Sequence, residues 1–375
     1  MAVGSWQRPR SGQELAGLLA AGQPVRIRGA GTKLAWGRPV EADSEVSTAR
    51  LDRIVEHNAG DLTAVLEAGV PLATAQERFA GAGQMLALDP PDLGATIGGV
   101  VATGDSGPMR ARYGGPRDLV LGLRAALPDG SLIKSGGKVI KNVAGYDLGK
   151  LMTGAFGTLG AVVEVAVRLH PRPEGTATAA GGTTSPDTLA GAVLELSQSP
   201  LEHLSFDLRW GGGDGALLAR FGGATARPQA EAALRLMEKA GLEGSLVEDD
   251  QSVWSLQREG QRSEAGTVVR VSGTPSQSGQ LLPAVTRLGG RVVARAGLGL
   301  SWITLDDRSD EEAAAAVEAL RRDLAPSPCV LLDAPLEVRR RVEPWGPLDP
   351  GLLSLMHRLR ERFDPGGICN PGLLP

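Results

Sequence analysis

Short β-branched or alternating apolar runs, cut by glycine-rich turns, fill the part of the chain before Pro171; a more regular strand and helix rhythm follows. Ser11 can cap a helix, GQELAGLLAAG, whose Leu15, Leu18 and Leu19 share one face. Pro24 admits a strand from Val25 to Gly29. Strand patterns recur at Val46 to Leu51 and Leu62 to Glu67. A helix over PLATAQERFAGAG then has Pro71 in its first turn and ends at Gly81 or Gly83. Met85 to Leu88 reads as a short strand. Asp118 to Ser135 reads as a hairpin around Pro128-Asp129-Gly130, and Ala161 to Leu169 as a strong strand.

The pattern changes at Pro171-Arg172-Pro173, a domain boundary by composition. Beyond it the order is strand 175–181, helix 185–198, strand 203–210, strand 216–221, helix 226–240 and strand 244–248. After a polar stretch the order recurs as strand 267–272, helix 276–288, strand 291–296, strand 299–305, helix 310–324 and strand 329–333. That is β-α-β-β-α-β written twice, the ferredoxin-like arrangement. The tail holds a helix from Gly351 to Phe363 and closes with FDPGGICNPG. The fold class expected is α+β.

Chemistry enters with glycine. Of the 52 glycines, many crowd into Pro90 to Gly160, where a helix interior is excluded and backbone can approach a ligand closely. The strand Val25 to Gly29 runs into GAGTK, whose N–H groups and Thr32 hydroxyl can hold a phosphate. The dinucleotide fingerprint fails because Leu34 stands where the third glycine belongs, and a P-loop is absent. Taken alone, this stretch reads as a tight turn more readily than as a phosphate loop.

A formal charge of −4 gives no basic footprint for nucleic acid. No run of eighteen apolar residues predicts a spanning helix, and the N-terminus lacks the apolar core of a secretory signal. Cys329 and Cys369 have no metal-type spacing, and His57, His170, His203 and His357 form no local metal motif. A reduced, cytoplasmic setting fits, with contact to the inner membrane only through partners.

RGAGTK, ATIGGVVATGDSG, KNVAGYDLGKL, GTLG and FDPGGICNPG, in this order, resemble the vanillyl-alcohol oxidase superfamily with its p-cresol methylhydroxylase (PCMH)-type FAD-binding domain. Within it the chain is most similar to the FAD-binding E subunits of bacterial glycolate oxidases. The resemblance implies a two-subdomain FAD-binding domain at 1–172, an antiparallel α+β cap at 173–333, and a tail, 334–375, that returns to the flavin. It implies that Arg28, Gly29, Ala30, Gly31, Thr32 and Lys33 meet the FAD pyrophosphate. Pro90, Thr96, Gly98, Gly99, Thr103, Ser106 and Gly107 would form the second wall. Asn142 and Tyr146 would lie near the isoalloxazine or ribityl chain; Gly157, Thr158 and Val162 would lie along the adenine side, and Asn370 at the flavin end. Lys138 or Lys141 could stabilise charge on reduced flavin.

Relatives often anchor flavin through a histidine near the first loop or a downstream cysteine. No histidine is present in that loop, so the FAD expected is non-covalent. The histidine-rich metal motif of hydroxy-acid dehydrogenases is also absent from the later half, where only His203 and His357 occur. No catalytic base can be named. Arg209, Arg270 and Arg295 are equal candidates to meet a substrate carboxylate. Three functions remain open: an FAD-binding subunit beside a catalytic flavoprotein subunit and an iron–sulfur subunit of a glycolate oxidase complex, a self-sufficient dehydrogenase of a small 2-hydroxy acid, and a scaffold without FAD. The retained glycine loops argue against the scaffold.

Overall fold

The computed structural model describes residues 6–138, 146–247 and 249–375. Near the N-terminus a parallel sheet has the spatial order Trp6–Gln7, Ser44–Ser47, Val25–Arg28. The helix Gly12–Ala20 covers it. Ser11 Oγ accepts from Glu14 N at 3.1 Å and starts the helix, while Leu15 and Leu19 are fully buried and Leu18 lies at the rim of the same core. Each such leucine removed from water stabilises by roughly 1.5–3 kcal/mol. Ile368 and Cys369 join this core, and Cys369 bridges Val25 in parallel. The far end of the chain thus extends its first sheet.

A five-stranded antiparallel sheet follows, ordered Ile54–Asn58, Thr63–Glu67, Ala161–Arg168, Val120–Ala126, Leu132–Gly136. The hairpin and the strand before His170 are where alternation places them. The stretch Ala95 to Thr103 is a helix, Ile97–Thr103, despite its glycines. Thr96 Oγ1 caps it by accepting from Gly99 N at 3.2 Å. Gly98 brings it against Ala68: an added Cβ would stand 2.6 Å from the Ala68 Cβ.

The cap is one eight-stranded antiparallel sheet, in the order Glu243–Val247, Thr176–Thr183, Asp214–Gly222, Ser205–Gly211, Arg291–Arg295, Leu300–Leu305, Thr267–Ser272, Cys329–Leu331. In chain terms each half reads fourth, first, third, second strand outward to inward, and the halves meet through their second strands. The β-α-β-β-α-β unit is therefore built twice. Helices Pro186–Ser197, Ala226–Lys239, Ser278–Arg287 and Asp310–Asp323 pack into the core on one face. On the other face Val268, Val293, Trp302 and Val330 pack with Trp36 of the first part, beside Phe156 and Trp345. One helix, Gln251–Glu259, falls inside the stretch read as polar linker; Trp254 and Gln257 are its buried residues.

Candidate functional site

The strand Val25–Arg28 leaves the parallel sheet and turns through Gly29–Lys33, which walls a cleft. Thr96, Gly98, Gly99 and Thr103 add a second wall, Phe156, Gly157, Ala161 and Val162 a third, and Asn370 with Leu373 close it from the C-terminal segment. About 840 Å³ of space, open to solvent, lies among these walls, within the size range of cofactor sites. Two glycines are required by the geometry. A Cβ on Gly29 would stand 2.0 Å from Thr96 Oγ1, and Gly31 has a φ of +88°.

Ala30, Gly31, Thr32 and Lys33 donate no backbone hydrogen bond among the described residues. Four successive free amides in a turn form a concave site for an anion. The charge of Lys33 is already engaged: its Nζ lies 3.1 Å from the Asp105 carboxylate, with both side chains buried. The amides are thus the donors left for a diphosphate, and the residues present fit FAD on that ground.

Asn370 ties three walls together. Its Oδ1 accepts from Ile27 N at 2.7 Å, and its Nδ2 donates to Phe156 O at 2.7 Å. Asn370 is buried and holds a φ of 45°, a left-handed conformation that asparagine tolerates better than most residues.

Arg28, Gly29, Ala30, Gly31, Thr32, Lys33, Thr96, Gly98, Gly99, Thr103, Gly157, Val162 and Asn370, all expected from the sequence, line this one cleft. Pro90, Ser106, Gly107, Thr158 and Tyr146 do not. Gly107 serves loop packing, since a Cβ there would stand 1.7 Å from Asp89 O. Ser106 O accepts from Gln261 of the cap at 3.0 Å, and the Thr158 hydroxyl donates to Ala155 O at 2.7 Å. Tyr146 is 92% exposed. Lys138 pairs with Glu56 at the surface. Asn142 and Lys141 lie outside the described residues.

A clamp on the Gly29–Lys33 turn was not legible. Arg262 of the cap donates to Asp333 Oδ2 at 2.6 Å and to Thr32 O at 2.9 Å. Trp36 Nε1 donates to Asp333 Oδ1 at 2.9 Å, and the Arg262 guanidinium lies 5.3 Å from the Trp36 ring.

A second, wider cleft shares Thr103 and Phe156 with the first. Arg110, Arg117 and Arg270 line it, against Trp345, Leu348 and Met356. This separates the three arginines proposed for a carboxylate. Arg295 is fully buried and bonded to Asp207 at 2.5 Å and to Gln261. Burial pushes the Asp207 carboxyl up to about 6 despite that arginine. Arg209 lies on Ser205–Gly211 and lines neither cleft. Of the three, Arg270 lines the second cleft, while Arg295 lines only a separate, smaller one inside the eight-stranded part, beside Ser278 and Ser301. His203 stacks on Phe206 at 4.7 Å and burial lowers it to about 4, while His357 is exposed on its helix. Among the described residues no three potential metal ligands gather, and no helix is long and apolar enough to cross a membrane.

Known proteins resemble this chain in sequence and in fold. Glycolate oxidase subunit GlcE of Escherichia coli K12 is 37% identical over 205 residues, 52% of this chain and 58% of its own length. The uncharacterized FAD-linked oxidoreductase Rv2280 of Mycobacterium tuberculosis H37Rv is 36% identical over 199 residues, 52% of this chain and 43% of its own. The chain thus spans about half the length of these curated relatives. A solved structure of alkyldihydroxyacetonephosphate synthase shares the fold with a TM-score of 0.72 over 98% of this chain and 76% of that one, at 15% identity. A family model described as FAD binding domain matches residues 8–136 of this chain, a stretch that includes the Gly29–Lys33 turn.

Proposed function

We propose that this chain holds FAD non-covalently and serves in the oxidation of a 2-hydroxy acid, as the FAD-binding chain of a glycolate-oxidase-type assembly. The observation that carries the reading is the row of free amides, Ala30 to Lys33, in a cleft closed by the chain's far end. In this reading the amides and the Thr32 hydroxyl hold the diphosphate. Gly98 and Gly99 leave room for the chain that links it to the ring. Gly157 and Val162 flank the adenine side, and Asn370 fixes the wall at the flavin end. Bound FAD would supply a hydride acceptor. Neither cysteine lines the cleft, and burial raises both thiols, Cys329 to about 11, so neither suits a covalent flavin link.

The resemblance to GlcE supports an assembly in which a catalytic flavoprotein subunit and an iron–sulfur subunit complete electron transfer. Two cysteines cannot hold a four-cysteine cluster, so a cluster belongs on a partner. A second reading, a self-sufficient dehydrogenase, is favoured by Arg270 in a cleft that adjoins the first at Thr103 and Phe156. The purified chain should show a flavin spectrum, and acid precipitation should release the colour. Anaerobic glycolate or D-lactate that bleaches the chain alone selects the second reading; bleaching only with the partner subunits selects the first. No flavin after reconstitution refutes both.

A further inference from the structure

The second cleft gathers more cationic charge than one carboxylate requires. Arg270 sits mid-strand on Thr267–Ser272, two residues from Val268 and so on the same, FAD-facing side of the sheet. Trp302 and Val330 are its cross-strand neighbours, both in the apolar layer between cap and first part. Its Nε is sealed from solvent and has no partner among the described residues. Arg110 reaches the same cleft from the other side of that layer, and its recorded side-chain bond is a neutral one, Nη1 to Ser106 Oγ at 3.1 Å. Burial first, and then the Arg110 charge, depress the Arg270 guanidinium below its usual range. Arg117 stands exposed at the mouth.

Among the described residues no carboxylate forms an ion pair with Arg270 or Arg110, although Asp118 and the Pro375 end of the chain line the same cleft. Asp105 pairs with Lys33 at 3.1 Å, and exposed Asp118 accepts from Gly115 N at 2.8 Å. Two guanidinium groups held near one another, one of them desolvated, repel and lose hydration without a counter-charge. A bound anion completes such a site, because charge-assisted hydrogen bonds to guanidinium are strong and directional.

We propose that this cleft binds a small dianion, a 2-hydroxy acid bearing a second anionic group, with Arg270 of the cap and Arg110 of the FAD-binding part each taking one charge. The identity of the ligand as a hydroxy acid rests on the function proposed above; the two-cation site does not.

Calorimetric titration of the FAD-loaded protein with unreactive anions tests it. Malonate and succinate should bind at least ten-fold tighter than acetate and butyrate. Arg270→Gln and Arg110→Gln should each erase most of that ten-fold preference at unchanged flavin content. Arg270→Lys, which keeps the charge, should retain part of it, and Arg209→Gln all of it. Equal binding of mono- and dicarboxylates, or an Arg110→Gln protein that still discriminates, overturns the proposal. Dicarboxylate preference in a protein whose flavin no hydroxy acid reduces, with or without partner subunits, upholds the site and overturns the proposed function. Flavin reduced equally well by mono- and dicarboxylic hydroxy acids does the reverse.

Discussion

Asn370→Ala removes the one side chain that joins three walls of the cleft. Ile27 N and Phe156 O, each 2.7 Å from Asn370, lose a partner that is itself only 4% exposed. An unsatisfied buried polar group costs roughly 1–3 kcal/mol. Alanine at a φ of 45° adds left-handed strain of about 1 kcal/mol. The expected loss is therefore about 3–7 kcal/mol, a large share of the roughly 5–15 kcal/mol that holds a domain together. Urea unfolding of the apo-protein should show a lower midpoint at unchanged slope. FAD titration should show affinity at least ten-fold weaker, because the Phe156–Gly157 wall is no longer tied to the strand Val25–Arg28. Asn370→Asp keeps the acceptor for Ile27 and loses the donor to Phe156, which separates the two bonds. An Asn370→Ala protein within about 0.5 kcal/mol of wild type, binding FAD equally well, refutes the reasoning.

Arg262→Met leaves the buried Asp333 carboxylate without its cation; a loss of about 3–5 kcal/mol is expected in thermal or urea unfolding, with weaker FAD binding because Thr32 O is released. Gly98→Val drives a side chain into Ala68, whose carbonyl oxygen lies 2.9 Å from the would-be Cβ, and the purified variant should carry almost no flavin by absorbance. Burial holds the Asp89 carboxyl up at about 7, opposed by Arg295 and Arg258 and reinforced by Asp207. The folded protein therefore binds a proton that the unfolded chain releases near pH 4. This stabilisation is complete below pH 4 and is lost as pH rises through 7. Asp89→Asn should accordingly be more stable than wild type at pH 8, with the advantage gone at pH 4, as read by melting temperature across that range.

The cap was legible almost strand by strand because each apolar run there has one period and one face to bury. Its sheet order was less so, since nothing local says that Ser205–Gly211 pairs with Arg291–Arg295. The Gly29–Lys33 turn was legible as glycine after a strand. The neighbouring glycines were misleading in detail: Gly107 is small to fit Asp89 O, whereas Gly31 is small because its φ demands it. Ala95 to Thr103 hid its helix because paired glycines lower helix propensity, and the cap on Thr96 with packing on Ala68 outweighed it. The helix around Trp254 hid among polar residues because it buries one narrow stripe, with Trp254 Nε1 donating to Thr178 Oγ1 at 2.9 Å. Contacts between distant segments had no signal. Arg262 and Thr32 are 230 positions apart, and Trp36 and Asp333 are 297.

Titration of the apo-protein with FAD, in competition with ADP and with riboflavin, tests most directly whether the amides of Ala30 to Lys33 anchor the cofactor. One FAD per chain, displaced by ADP much more readily than by riboflavin, is the expected result. No binding, or displacement by riboflavin and not by ADP, contradicts the account.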